Sequence, residues 1–215
     1  MIKAVIFDLD GTLLYTLEDL KNSTNFALKQ FDFPQRSLDE IRIFVGNGVR
    51  KLIERAVPKN STMQTVEQVL TIFKNDYQKN MYNCTKPYDG IIKLLTELKK
   101  QNIKTAIVSN KFDEAVKELS NKYFANLIDV AIGQSNNISP KPSPDGVLQA
   151  IKILNVDIKN CIYVGDSDID VKTAHNAGLQ CIGVTWGYRN MELLKNSGAD
   201  FVVNKPEDIL KGIYS

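Results

Sequence analysis

The chain has 215 residues, of which 43% are apolar, and its 27 Lys and Arg nearly balance its 25 Asp and Glu. This composition is typical of a globular protein with a sizeable core, and it lacks the basic surplus of a nucleic-acid-binding surface. No apolar run approaches the ~20 residues of a membrane span. We therefore expect neither nucleic acid nor a membrane as a partner.

The cysteine and histidine residues restrict the kinds of catalytic and metal site that the chain is expected to form. The three cysteines lack metal-ligand spacing, and Cys161 and Cys181 each begin a short apolar run, which indicates buried thiols. The odd cysteine count, with an N-terminus that leads at once into a strand, favours a reducing cytoplasm. The single histidine, His175, lies in a helical pattern, so a His-activated serine or cysteine nucleophile is disfavoured.

The first predicted element is a buried strand that ends in two acids. Apolar residues 4–7 lead into Asp8, and Asp10 follows before Gly11 closes the run. Such a run is typical of a central parallel strand, at whose carboxyl end open α/β sheets bind ligands. Burying either acid unpaired is costly, so we expect a cation or a proton beside them. The alternative is an acidic surface turn, because Asp and Gly are common turn residues.

The region from Thr16 to Lys86 has helical periodicity and no strand pattern. Helices are predicted over 16–30, 37–45, from the Gly46-Asn47-Gly48 turn to about 57, and over 62–82. From Ile91 onwards, helices and strands alternate. Helices are predicted over 91–100, 113–122, 144–154, 168–177 and 191–196, and strands over 104–108, 128–132, 161–164, 182–184 and 201–203.

This alternation implies βαβ units and therefore a parallel sheet. We predict an α/β fold: a doubly wound parallel sheet formed by residues 1–15 and 87–215. The helical segment interrupts this scheme directly after the first strand. It is therefore interpreted as an inserted helical cap domain over residues 16–86.

Polar clusters lie after the predicted strands, where carboxyl ends meet at one rim of the sheet. Carboxylates suit a hard cation, a hydroxyl and amides suit an oxyanion, and lysines supply positive charge, a set that phosphoryl transfer requires. The clusters are Asp8 with Asp10, Ser109-Asn110-Lys111, Lys141, and Gly165-Asp166-Ser167-Asp168-Ile169-Asp170.

Taken singly, most members of these clusters have a simpler interpretation. Ser109 and Asn110 could cap the following helix. Lys141 could be an exposed loop lysine. Lys111 is expected to face solvent or the cap, with an approach to the substrate as the alternative. Asp168 could be a first-turn acid favoured by the helix dipole. Only the joint pattern favours a site.

In that joint pattern the chain resembles the haloacid dehalogenase superfamily, specifically its phosphatases with a helical cap and a Rossmann-like core. VIFDLDGTL matches the first motif, VSN at 108–110 the second, Lys-Pro at 141–142 the third and VGDSDID at 164–170 the fourth. The four motifs occur in order, and the resemblance covers essentially the whole chain.

The resemblance implies a role for each matching position. Asp8 would attack phosphorus and form an aspartyl-phosphate, and Asp10 would protonate the leaving alcohol and then deprotonate water. Lys141 would neutralise charge and keep Asp8 anionic. Mg²⁺ would be held by Asp166, the Asp8 carboxylate and the Asp10 backbone carbonyl, with Asp170 supporting the metal or Lys141 from behind. The implied phosphate-binding residues are Thr12, Ser109, Asn110 and Lys141.

Within the superfamily, an acid at position 10 favours phosphate-ester hydrolysis or phosphomutase action over dehalogenation. The mutases of this type carry a histidine in the first cap helix, and residues 15–31 contain none, so hydrolysis is favoured. Leu14-Tyr15-Thr16 departs from the Asp-Ser usual at the start of the cap.

The stretch FVGNGVRKL at 44–52 is similar to that of phosphoglycolate phosphatases. Asn47, Gly48 and Arg50, or Lys51, could meet a substrate anion such as a carboxylate. Alternatively, the glycines form an interhelical turn and Arg50 is a solvated charge.

We therefore expect a Mg²⁺-dependent phosphatase for a small phosphate monoester, with 2-phosphoglycolate as the first candidate. The protein is expected to act as a monomer or weak homodimer. Three alternatives stay open: a sugar phosphomutase of the β-phosphoglucomutase type, a pyrophosphatase or nucleotidase of the same superfamily, and a non-catalytic phosphate-binding or receiver-like module.

Overall fold

The structure is a computed structural model that describes residues 1–214. The chain divides into two compact units. We name Met1–Leu14 with Pro87–Ser215 the α/β unit, and Tyr15–Lys86 the helical unit. The helical unit begins one residue before the expected boundary at residue 16.

The strands are β1 (Ala4–Phe7), β2 (Leu14–Tyr15), β3 (Lys86–Pro87), β4 (Lys104–Phe112), β5 (Val130–Gln134), β6 (Cys161–Gly165), β7 (Gln180–Val184) and β8 (Phe201–Val203). The helices are α1 (Leu17–Lys29), α2 (Leu38–Phe44), α3 (Val49–Ala56), α4 (Met63–Asn80), α5 (Ile91–Lys100), α6 (Asp113–Phe124), α7 (Asp145–Leu154), α8 (Asp168–Asn176), α9 (Met191–Asn196) and α10 (Pro206–Tyr214). Short 3₁₀ turns cover Ala125–Leu127 and Ile158–Asn160.

Six strands of the α/β unit form one parallel sheet in the order β5-β4-β1-β6-β7-β8. The central strand β1 is fully buried, and its last residue, Phe7, aligns with Ile107 of β4 and Val164 of β6. Because the three strands are parallel, the residues after them share one rim of the sheet. This arrangement confirms the predicted α/β fold.

The core of this unit follows from its apolar patterns. Helix α7 buries Val147, Ala150, Ile151 and Leu154, spaced three or four apart, so one face of the helix is apolar. These side chains belong to one core cluster with Ala4, Ile6, Ala106, Val108, Tyr163, Val171 and Ala174, contributed by β1, β4, β6 and α8. Burial on both faces explains why the central strands are continuous apolar runs.

The helical unit buries one face of each of its long helices. Helix α1 packs against α4, which buries Val66, Val69, Leu70, Phe73 and Tyr77. Ser37 closes a capping box at α2, and the Thr62 hydroxyl accepts from the Thr65 backbone at α4. Phe26 of α1 is 47% exposed, so it lies outside the buried face of that helix.

The structure departs from the predicted elements in several further places. Strand β7 begins at Gln180, two residues before its predicted start, and the two-residue strands β2 and β3 were not predicted. Strand β4 continues to Phe112, past the predicted end at 108, through a register shift between Val108 and Phe112. Strand β5 covers Val130–Gln134, two residues later than predicted. Helix α10 follows the last predicted strand, although Pro206 and the acids after it are typical of a helix start.

Cysteine and histidine placement agrees with the sequence reading. Cys161 and Cys181 are buried free thiols, whereas Cys84 is exposed. His175 is on the surface, with Nε2 3.1 Å from a carboxylate oxygen of Asp200. None of the helices in residues 1–214 combines the length and apolarity needed to span a membrane.

Candidate active site

The segment after β1 places two acids at the rim of the sheet. The Asp8 N–H donates to the Val164 carbonyl at 2.9 Å, which continues the pairing of β1 with β6. The chain then turns tightly, because the Leu9 carbonyl accepts from the backbone N–H groups of residues 12–14. Gly11 has φ +87°, and a Cβ there would lie 2.5 Å from an Asp166 carboxylate oxygen. The turn therefore requires glycine.

Three buried carboxylates meet beside this turn. Ligand oxygens of Asp8, Asp166 and Asp170 all lie within 4.8 Å of one another. Asp166 is fixed from two sides: the Thr12 hydroxyl donates to Oδ1 at 3.1 Å, and the Tyr188 backbone N–H donates to Oδ2 at 2.7 Å. The Thr12 hydroxyl, predicted to bind phosphate, thus contacts Asp166.

Lys141 bridges the cluster. Its Nζ lies 2.8 Å from Asp8 Oδ1 and 2.7 Å from Asp170 Oδ1. The Asn110 side chain fixes the Lys141 backbone, with Nδ2 donating to the carbonyl at 3.1 Å and Oδ1 accepting from the N–H at 2.7 Å. Lys141 is buried, so the exposed-loop alternative is wrong.

Asp170 supports Lys141 from behind. It is the third residue of α8, and Ser167 caps that helix, because its hydroxyl oxygen accepts from the Asp170 backbone N–H at 3.3 Å. In return, Asp170 Oδ2 accepts from the Ser167 backbone N–H at 3.0 Å and from the Ser167 hydroxyl at 2.6 Å. Asp170 Oδ1 accepts from the Tyr163 hydroxyl at 3.1 Å, and that hydroxyl also lies 3.2 Å from Lys141 Nζ. Sequence reasoning misses Tyr163, because it occurs inside an apolar strand.

Lys111 is paired with Asp10. Its Nζ lies 2.8 Å and 2.9 Å from the two carboxylate oxygens of Asp10. The Lys111 side chain is 1% exposed and that of Asp10 13%. The expectation that Lys111 faces solvent is therefore wrong, because the continuation of β4 carries it to Asp10.

The second motif does not cap a helix. Helix α6 begins at Asp113, and Phe112 at its N-cap makes no side-chain cap. Ser109 and Asn110 are buried, and the Ser109 hydroxyl accepts from the Lys111 N–H at 3.3 Å. Asp168 does lie in the first turn of α8 and pairs with Lys172 at 3.0 Å.

The loop after β7 also belongs to the site, which sequence reasoning misses. Trp186 Nε1 donates to the Thr12 carbonyl at 3.0 Å, and a Cβ at Gly187 would overlap Asp166. The signal was available: this Trp-Gly-Tyr stretch follows the carboxyl end of a strand, as the four recognised clusters do.

The charges of the site do not balance. In the contacts described above, Asp10 pairs with Lys111, and Asp8 and Asp170 pair with Lys141. The carboxylate of Asp166 lies beside those of Asp8 and Asp170. Burial, with the charges of Asp170 and Asp10, raises the pKa of Asp8 to about 7 against the opposing effect of Lys141. Burial and the charges of Asp170 and Asp8 raise the pKa of Asp166 to about 8.

The same electrostatics hold Lys141 in its charged form. Burial alone would lower its pKa, but the carboxylates of Asp170 and Asp8 outweigh that effect and raise the pKa well above the ordinary value. When all four carboxyls are ionised, they exceed the two lysines by two negative charges. A divalent cation with oxygen ligands fits both this excess and the donor set.

The predicted cap residues lie in the helical unit. Gly48 precedes α3 with φ 85°, and Asn47 Oδ1 accepts from Arg55 at 2.8 Å. Arg50 Nη2 donates to Glu67 at 3.0 Å, and Lys51 Nζ donates to Glu54 at 2.6 Å. Their role in substrate binding stays a prediction.

The family is established by comparison. The model of haloacid dehalogenase-like hydrolases matches residues 5–184. The chain belongs to this family. The resemblance carried by the four motifs is thereby confirmed.

The chain is also similar to individual members of the family over nearly its whole length. The phosphoglycolate phosphatase of Aquifex aeolicus is 30% identical over 211 residues, which is 98% of this chain and 96% of that protein. The phosphoglycolate phosphatase of Mannheimia succiniciproducens is 31% identical, covering 97% of each. A solved structure from Lactobacillus delbrueckii subsp. bulgaricus has a TM-score of 0.93 at 33% identity, covering 98% of each chain. The chain is thus an enzyme, a phosphoric monoester hydrolase similar to phosphoglycolate phosphatases.

Proposed function

We propose that this haloacid dehalogenase-like hydrolase is a Mg²⁺-dependent phosphatase that hydrolyses 2-phosphoglycolate through an aspartyl-phosphate. The observation that carries the proposal is the buried triad of Asp8, Asp166 and Asp170, whose ligand oxygens lie within 4.8 Å of one another. Lys141 Nζ joins it at 2.8 Å from Asp8. The proposal places the enzyme in a reducing cytoplasm, as a monomer or weak homodimer.

In the first half of the reaction, an Asp8 carboxylate oxygen attacks phosphorus. The bond between phosphorus and the leaving oxygen breaks as the new bond forms, and Asp10 gives its proton to that oxygen. In the second half, a water oxygen attacks phosphorus, the bond to Asp8 breaks, and Asp10 takes the proton from water. Asp8 is regenerated as a carboxylate and inorganic phosphate leaves.

Several groups support these steps electrostatically. Lys141 neutralises charge beside Asp8 and is held there by Asp170 at 2.7 Å and by Asn110 through the backbone. The Ser109 hydroxyl and the Asn110 amide are proposed to hold phosphoryl oxygens. Bound Mg²⁺ supplies Lewis-acid polarisation of the phosphoryl group, and Asp166, the Asp8 carboxylate and the Asp10 backbone carbonyl would hold it.

The choice of substrate is supported by relatives that carry the name phosphoglycolate phosphatase at about 30% identity over nearly their whole length. We propose that the helical unit is the cap domain and sets specificity. Within it, Asn47, Gly48 and Arg50 are the proposed contacts to the substrate carboxylate. Arg50 would have to exchange Glu67 for that carboxylate.

A panel of phosphate esters, including 2-phosphoglycolate, pyrophosphate, a nucleoside monophosphate, a sugar phosphate and p-nitrophenyl phosphate, tests the proposal. Phosphate release is measured with Mg²⁺ and with EDTA. We expect the highest kcat/KM for 2-phosphoglycolate and no turnover with EDTA. Release of phosphate from none of the esters would reject a phosphatase, and transfer between positions of the sugar phosphate would indicate a mutase.

Asp8→Asn tests the nucleophile. We expect turnover to disappear with the fold intact by circular dichroism, because the amide forms no acyl-phosphate. Measurable hydrolysis by this variant would exclude Asp8 as the nucleophile.

Asp10→Asn tests the acid and base. We expect kcat to fall by ~10²-fold to 10⁴-fold, the range of general acid-base catalysis, with slow formation and poor hydrolysis of the phosphoenzyme. A turnover equal to that of the parent enzyme would show that Asp10 has neither role.

A further inference from the structure

We propose that Lys111 is a positioning residue for Asp10. It fixes the orientation of the Asp10 carboxylate, which takes a proton from water during hydrolysis of the aspartyl-phosphate. This inference rests on the proposed function.

The contact is specific to the side chain of Asp10. The Asp10 backbone is already fixed by the turn, in which it bridges to Leu14 and the following Gly11 N–H donates to the Leu14 carbonyl at 2.9 Å. The turn does not set the plane of the carboxylate. Lys111 Nζ contacts both carboxylate oxygens, at 2.8 Å and 2.9 Å, and so fixes that plane.

The fold is built to deliver Lys111 to this position. Strand β4 continues past Ser109 through the register shift, and the segment packs directly against β5. Gly133 of β5 permits this approach, because a Cβ there would lie 2.8 Å from the Lys111 carbonyl oxygen and would overlap the Asp113 backbone. The Gly133 N–H donates to Asp113 Oδ1 at 2.9 Å, which ties β5 to the start of α6, two residues after Lys111.

The expected effect falls on one step. When water attacks phosphorus, its proton must reach an Asp10 oxygen that is already oriented, while the bond between phosphorus and Asp8 breaks. Misorientation of that oxygen lowers the rate of this transfer. Lys111 pairs with Asp10, whereas Lys141 pairs with Asp8, so attack of Asp8 on a substrate whose leaving group needs no proton is expected to proceed without Lys111.

The test uses p-nitrophenyl phosphate, whose leaving group departs without help from an acid. Lys111→Met is compared with the parent enzyme by rapid-mixing and steady-state kinetics. We expect a burst of one p-nitrophenolate per active site, then a steady rate lower by ~100-fold, on the scale of general-base catalysis. We expect kcat and KM to fall together with kcat/KM nearly unchanged, because kcat/KM reports only steps up to phosphoryl transfer.

Two further variants frame this result. Lys111→Arg keeps the cation and is expected to recover most of the lost kcat. Lys211→Met removes an exposed lysine that pairs with Asp208 in α10 and is expected to match the parent. A loss of kcat/KM as large as the loss of kcat, without a burst, would overturn the inference, as would a Lys111→Met enzyme equal to the parent.

If Lys111→Met fails to fold, the double variant with Asp10→Asn tests the same inference, because it also removes the carboxylate that Lys111→Met leaves without its lysine. There, adding Lys111→Met is expected to slow phosphoenzyme hydrolysis no further, because Lys111 acts through Asp10. An additional loss of about 10-fold would overturn the inference. A parent enzyme that hydrolyses no ester would instead reject the proposed function.

Discussion

Without a divalent cation, the stability of this protein is expected to fall as the pH rises from about 4 to about 8. In the unfolded chain, the pKa of an aspartic carboxyl is about 4. In the folded protein, the pKa of Asp8 is raised to about 7 and that of Asp166 to about 8, mainly by burial. Across this window the folded state binds more protons than the unfolded state, so the free energy of unfolding decreases with increasing pH.

The size of the effect follows from the shift. One pKa unit corresponds to about 1.4 kcal/mol. For Asp8, the rise from 3.8 to about 7 corresponds to about 4 kcal/mol lost across the window. That is a large part of the 5–15 kcal/mol by which domains are typically stable, so the loss is easily measured.

The assay is urea unfolding in EDTA at pH 5, 6, 7 and 8, repeated with Mg²⁺. Mg²⁺ binds the unprotonated carboxylates, so its stabilising effect is expected to grow with pH. At 100 times its Kd the ion adds about 2.7 kcal/mol. Asp166→Asn serves as the reference, since it removes one of the two raised groups and one metal ligand, and should show a shallower pH slope and little response to Mg²⁺.

Two results would refute this reasoning. In the first, the free energy of unfolding of the parent in EDTA, minus that of Asp166→Asn, stays level or rises between pH 5 and pH 8. In the second, Mg²⁺ stabilises both proteins equally, which would show that Asp166 does not bind the ion.

Two further substitutions, with Asp168→Asn as a comparison, probe the supports of the site. Asp170→Asn removes a buried partner of Lys141 and is expected to cost about 3 kcal/mol in unfolding experiments with Mg²⁺, with a parallel loss of kcat. Asp168→Asn, at a half-exposed pair, should stay within about 0.5 kcal/mol, and equal costs for the two would contradict the difference in burial. Gly187→Ala places a Cβ against Asp166 and is expected to cost about 1–3 kcal/mol and to weaken Mg²⁺ binding, measured by calorimetry. Unchanged Mg²⁺ affinity would show that the loop after β7 does not hold Asp166 in place.

Much of the fold could be predicted because its signals are local. The apolar run of β1 and the helical spacing of α7 are readable one segment at a time, since burial on both faces of a strand or on one face of a helix is recorded in neighbouring residues. Elements whose ends depend on pairing were less predictable. Strand β4 runs on through Ser109 to Phe112 only because β5 lies beside it.

In the candidate site, too, some features were predictable from the sequence and others depended on tertiary contacts. The order of the four motifs places Asp8, Ser109 and Asp166 at one rim, because residues that follow parallel strands share an edge of the sheet. The partners of these side chains were not readable. Tyr163 is an ordinary strand residue by its neighbours, yet its hydroxyl lies between Asp170 and Lys141.

What the sequence by itself determined was therefore the class of fold, the rim at which polar groups collect, and the chemistry those groups support. Local periodicity and residue type contain that information. Only the tertiary structure decided that Lys111 pairs with Asp10, that Thr12 and Tyr188 hold Asp166, and that three carboxylates are buried together. These facts depend on distances between residues as far as 154 positions apart in the chain. Such distances exist only once the strands have paired.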